Sequence, residues 1–155
     1  MSSTTPSRTE RRRRARELVL QGLYQRRLSH NASADVRAQL VDSPGFERAD
    51  AAYFDELWSG LAEGADAQVE RLAPLLDRTP AELSPVEGAI LAIGAWELEH
   101  RLDIPYRVVI NEAVELAKSY GGTDGHKFVN GVLDRHAAGV RAVEIAARAR
   151  ERGLG

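Results

Sequence analysis

Cysteine is absent from the 155 residues, which excludes disulfides, thiol catalysis and cysteine-ligated zinc together. No apolar run approaches the roughly 18 to 20 residues that a membrane-spanning helix needs. The N-terminal stretch has no apolar core among its charges, so no secretory signal is expected there. No segment alternates apolar and polar residues as a strand does, and none repeats at solenoid periods. What remains is an ordinary balance of 43% hydrophobic and 28% charged residues. That length suits one compact domain or two small subdomains sharing a core, and a cytoplasmic location fits it.

Charge is where the chain departs from the ordinary. Residues 1–30 hold eight arginines against Glu10 and Glu17, a net +6, while the remaining 125 residues hold 13 basic and 21 acidic groups, a net −8. A basic end on an acidic body is the usual form of an arm that binds a polyanion.

Taken in order, residues 1–9 are small and polar and read as the disordered start of a basic arm. A helix is expected from about Glu10 to Leu28, with Ala15, Leu18, Val19, Gly22 and Leu23 as its buried stripe. Opposite that stripe, Arg13, Arg16, Tyr24 and Arg27 share one sector with Leu20, taking about 100° per residue. Guanidiniums for phosphates beside a ring for an unpaired base are what an RNA-binding face needs. A solvated helix face with a tyrosine covering its neighbour is the alternative. A short helix over 34–40 and a long one over 49–72 follow, the latter carrying Phe54, Leu57, Trp58, Leu61, Ala65 and Val69. Gly60 and Gly64 on it are poor helix formers. Ser84-Pro85-Val86-Glu87 has the form of a capping box with proline at the first helical position, and opens a helix to about Arg101. Glu97 falls near the apolar face of that helix, where an acid needs a buried partner. A last helix is expected over 138–152 with Val140, Val143 and Ala147 inward.

Residues 110–135 organise the C-terminal half. Ile110, Ala113, Val114 and Ala117 mark one buried helix face, and Val129, Val132, Leu133 and His136 mark the next. Between them Gly121 and Gly122 are expected to stop the first helix in the left-handed conformation. Thr123 or Asp124 is expected to cap the second. Lys127 and Phe128 lie at the edge of the buried face or beyond it, a contact surface or simply the margin of the core. The expected fold is all-α, about seven helices in two small packed bundles. An N-terminal subdomain is expected over 10–80 and a C-terminal one over 81–155.

The sequence offers no recognisable catalytic or metal-binding motif. The four histidines lack ligand spacing, and His126 and His136 are too far apart along one helix for a single metal. The turn GGTDGHK follows a helix and lacks the phosphate-loop form. Neither Ser119 nor Thr123 has a base placed by a motif. No catalytic residue, cofactor or metal is expected, and the protein does not read as an enzyme.

Three stretches, RRRRARELVLQGLYQ, SPVEGAILAIGAWEL and PYRVVINEAVELAKSYGGTDGHKFVNGVLD, resemble the NusB family of bacterial transcription antitermination proteins. The resemblance runs from about Arg11 to His136 in the family's order, and HKFVNGVLD at a helix start is its most specific part. It implies binding of boxA-type RNA in nascent ribosomal transcripts together with the small-subunit ribosomal protein NusE. Other Nus factors and RNA polymerase are implied indirectly, through loading of an antitermination complex. Carried over by position, Arg12, Arg13, Arg14 and Arg16 match the arginine-rich arm, and Tyr24 the tyrosine after it. Lys127 and Phe128 match the RNA surface, and Glu87 and Asp124 positions near the RNA and partner surfaces. Gly88 departs from the family, which usually has a bulkier or charged residue there. The alternatives are a helical protein–protein adaptor, or an accessory of ribosomal RNA maturation without sequence-specific RNA binding. A similar module occurs fused to ribosomal RNA cytosine methyltransferases, and a chain of this length is expected to hold no methyl-donor domain.

Overall fold

A computed structural model describes residues 5–153. Its regular structure is helical throughout, with eight α-helices and, among the described residues, no strand. The chain divides into two compact units between Ala65 and Asp66.

The first unit holds α1 (Arg8–Ser29), α2 (Ser33–Val41) and α3 (Ala51–Leu61). The first helix starts earlier than expected because Ser7 is a cap: its hydroxyl accepts from the Glu10 N–H at 3.1 Å, and Glu10 Oε1 accepts from the Ser7 N–H at 3.3 Å. Residues 7–9 are therefore part of the cap and first turn, and residues 1–4 lie outside the described ones. His30 ends the helix in the left-handed conformation. The expected stripe is buried, and it packs α1 against α3. Phe54 meets Phe46 edge-on at 5.4 Å and stacks with Trp58 at 6.2 Å. Gly22 makes room for this: a Cβ there would stand 2.6 Å from the Trp58 ring and 2.7 Å from Leu40.

The long helix expected over 49–72 is instead two, α3 and α4 (Ala65–Glu70). At the break Arg26 donates to the carbonyl of Ala62 and pairs with Glu63 at 3.3 Å. A cation from α1 thus satisfies a carbonyl that the helix end frees. A Cβ on Gly64 would lie 3.0 Å from the Gly60 carbonyl, so the tight turn suits glycine.

The second unit comprises α4 from Asp66 onward, two 3₁₀ turns, at Ala73–Leu75 and Pro80–Glu82, and four longer helices. These are α5 (Pro85–His100), α6 (Tyr106–Tyr120), α7 (Gly125–Val140) and α8 (Ala142–Glu151). Every residue from 89 to 98 is buried, so α5 is the central helix, packed by α6 and α7. The 3₁₀ segment at 73–75 belongs with this unit because Arg135 on α7 donates twice to the Leu75 carbonyl, at 2.9 and 3.2 Å. The sequence had suggested a change of subdomain nearer residue 80.

Arg141 corrects the expected last helix. It sits between α7 and α8, 3% exposed, and donates to the carbonyls of Leu98 (2.7 Å), Ile104 (2.9 Å) and Arg101 (2.8 Å). These include carbonyls that the end of α5 leaves unpaired, so the guanidinium caps that helix. The chain breaks to bring Arg141 inward, and the hydrophobes flanking it lose their place. Val140 is exposed, Val143 is 84% exposed, and α8 buries no side chain completely.

The turn between α6 and α7 also differs in detail. Gly121 is extended, with φ −86° and ψ 175°, and not left-handed. Glycine is needed for space: a Cβ there would meet the Ala117 carbonyl at 2.7 Å. Asp124 takes the left-handed conformation instead, φ 62°, and neither it nor Thr123 caps α7 through its side chain. The Asp124 carboxylate turns to Lys127 at 3.4 Å.

Candidate nucleic-acid interface

On α1 the arginines separate into two groups. Arg13, Tyr24 and Arg27 are solvent-facing, with Tyr24 40% exposed. Arg16 and Leu20 are not: they are buried, which corrects the expectation of one solvated sector. The Arg16 guanidinium carbon lies 5.3 Å from the centroid of Tyr53 on α3, and that of Arg12 lies 4.9 Å from the same ring. Arg12 Nε is also 4.0 Å from Asp50, the residue whose side chain caps α3. Arg14 pairs with Glu17 at 3.5 Å. One tyrosine from α3 therefore draws two of the four predicted arginines into side-chain packing.

In the second unit, four predicted residues gather where α5 and α7 begin. Ser84 caps α5 by accepting from the Glu87 N–H at 3.1 Å. The reciprocal limb of the expected capping box is absent: Glu87 Oε1 lies 3.2 Å from the Ser84 hydroxyl. Its other oxygen lies 3.0 Å from where a Cβ on Gly125 would stand, so the first residue of α7 is in contact with Glu87. Asp124 precedes that residue, Lys127 is exposed one turn on, and Phe128 is half-buried beside it.

Arg78, which the sequence did not single out, completes the group. Its guanidinium carbon lies 4.1 Å from the centroid of the Phe128 ring. Asp77 holds it there through bonds of 2.7 and 3.4 Å. The hydrogen bond from Arg78 keeps the Asp77 carboxyl below its ordinary range, and the same bond raises the guanidinium. Nothing local could have shown this, because Arg78 lies in a non-periodic loop fifty residues from Phe128. Chemically the group offers a ring, two cations and, with Asp77, three carboxylates.

Glu99 and His136 are engaged with side chains: Glu99 Oε2 accepts from Gln68 at 2.6 Å and lies 2.8 Å from His136 Nε2. Glu97 is buried as expected and has an interaction partner.

Comparison with known proteins agrees with these features of fold and sequence. The family model described as NusB family matches residues 13–138. The transcription antitermination protein NusB of Ralstonia nicotianae is 60% identical over 137 residues, covering 88% of each chain. That of Methylobacillus flagellatus is 55% identical over 134 residues, covering 86% of this chain and 87% of its own. Among solved structures, NusB of T. maritima superposes with a TM-score of 0.72 at 28% identity, covering 90% of this chain and 94% of its own. Matched over most of its length by the family and by such relatives, the chain belongs to the NusB family.

Proposed function

We propose that this protein is an RNA-binding transcription antitermination factor without enzymatic activity. It acts in the cytoplasm, on boxA-type RNA of nascent ribosomal transcripts. It binds that RNA together with the small-subunit ribosomal protein NusE, and so helps load an antitermination complex onto RNA polymerase. The observation that carries this reading is the recurrence, in each unit, of an aromatic outside the core beside cations. Tyr24 shares α1 with Arg13 and Arg27, and Phe128 adjoins Lys127 and Arg78. Rings for stacking and cations for phosphates are the two components of single-strand recognition. Arg12, Arg14 and Arg16 add positive potential, although Arg12 and Arg16 also hold α1 to α3. Glu87 and Asp124 supply acidic groups suited to a basic ribosomal protein.

Fluorescence anisotropy of a labelled boxA-like RNA and a scrambled control, with and without NusE, tests this. Selective binding that tightens with NusE is the expected result, and by linkage the RNA should then tighten NusE binding by the same factor. Equal binding to both RNAs, unchanged by NusE, overturns it. The burial of Arg16 favours a second reading, a protein–protein adaptor whose arginines serve mainly its own packing. Binding of NusE with no measurable RNA affinity would establish that one.

A further inference from the structure

We propose that Arg78 is a positioning residue for base stacking: anchored by Asp77, its guanidinium covers one face of the Phe128 ring and leaves the other as the platform for an RNA base. The proposal rests on the RNA reading above and deepens it.

The geometry has three parts. The guanidinium carbon stands 4.1 Å from the ring centroid, a close approach for a cation over an aromatic face. Asp77 anchors the guanidinium through both its oxygens, accepting from Nε at 2.7 Å and from Nη2 at a longer 3.4 Å. Phe128 is only half-buried on the first turn of α7, and its neighbours Val129 and Val132 carry the core contact. The core therefore encloses this ring on only part of its surface. With the guanidinium on one face, the ring is held before RNA arrives, and less of the entropy cost of ordering it falls on binding. A base then meets a ring of fixed orientation, and the order guanidinium, ring, base follows.

A positioning role differs from a phosphate contact in ways that can be measured. A contact between Arg78 and a phosphate contributes to the salt dependence of binding, about 0.7 to the slope for a single strand. A guanidinium spent on the ring contributes nothing to it. Lysine keeps the charge but has neither the planar face nor the two-pronged bond to Asp77.

The test is RNA affinity and its salt slope for Arg78→Ala, Arg78→Lys, Phe128→Leu and the double variant Arg78→Ala with Phe128→Leu. It is paired with the Arg78 side-chain N–H resonance in the free protein. Arg78→Ala should weaken binding about two- to five-fold with an unchanged slope, in line with an exposed cation–π contact. Arg78→Lys should not rescue it, and the loss should vanish in the Phe128→Leu background. The Arg78 Nε–H signal should be shifted by the ring current and return to its ordinary position in Phe128→Leu. Additive losses, a reduced slope, or full rescue by lysine overturn the positioning role while leaving the RNA surface standing. If Phe128→Leu binds RNA as tightly as the parent, the RNA surface at α7 falls, and the stacking role of Arg78 falls with it.

Discussion

Arg141 donates to Glu144 Oε1, and Glu144 Oε2 in turn accepts from the backbone N–H of Tyr106 at 2.9 Å. The pair thus joins the end of α5, capped by Arg141, to the start of α6, capped by Glu144. Arg148 completes the arrangement at 3.2 Å from Glu144. Two helix ends with opposite needs are met by one ion pair from the α7–α8 junction.

Arg141→Met should therefore cost far more than a surface arginine. Truncation removes the donor from at least three backbone carbonyls and leaves Glu144 without its closest cation. A loss of about 3–5 kcal/mol is expected, at about 1–3 kcal/mol for each buried carbonyl left without its donor. Urea unfolding measures it. A change under about 1 kcal/mol, typical of exposed pairs, would show that Arg141 is not a buried clasp.

Glu144 gives a pH dependence of known sign. Burial pushes its carboxyl up, but the Tyr106 N–H and Arg141 outweigh that, and the net shift is below the ordinary value of 4.5. A folded-state value below the unfolded one means that the stabilisation is fully present above about pH 4.5. It is lost as pH falls through the lowered folded value. The stability gap between the parent and Glu144→Gln should stay constant from neutral pH to about 5 and narrow below 4.5. A gap that widens on acidification would contradict the assignment.

Two glycines in helices should respond in opposite directions to alanine. In Gly22→Ala the new methyl would meet Trp58 and Leu40 inside 2.8 Å, with rings and α2 packed behind them. A loss of about 1–3 kcal/mol is expected from overpacking. At Gly88, on α5, nothing lies within 4 Å of such a methyl. Gly88→Ala should gain roughly 0.5–1 kcal/mol from helix propensity. Thermal melts of the two variants decide the matter, and a shift of the same sign in both would refute it.

The arginines of α1 should likewise divide. Arg13→Ala with Arg14→Ala is expected to weaken RNA binding and flatten its salt dependence by about 0.7 per phosphate contact removed, with little change in stability. Arg16→Ala should lower the melting temperature even without RNA, since its guanidinium packs on Tyr53. A salt titration beside a melting curve separates the two. An unchanged slope in the double variant would remove these two arginines from the RNA surface.

Local sequence patterns determined much of this protein. The all-helical class, the stripe of Ala15 to Leu23, the start of α5 at Ser84 and Pro85, and most of the expected faces of α6 and α7 follow from periodicity and capping, although Val114 and His136 are only half-buried. These depend on neighbours three or four residues apart, which a sequence displays directly. The edge position of Lys127 and Phe128 was legible for the same reason.

Only the tertiary structure decided which charged residues are spent within the fold. Arg16 is turned inward by a tyrosine on α3, Arg141 by carbonyls on α5 and beyond, and Arg78 is set over Phe128. An arginine has a long stem and a charged tip, and either solvent or a distant acceptor satisfies it equally well within the helical pattern. Its partner is chosen by distances across the packed unit, and no periodicity along the chain carries that information.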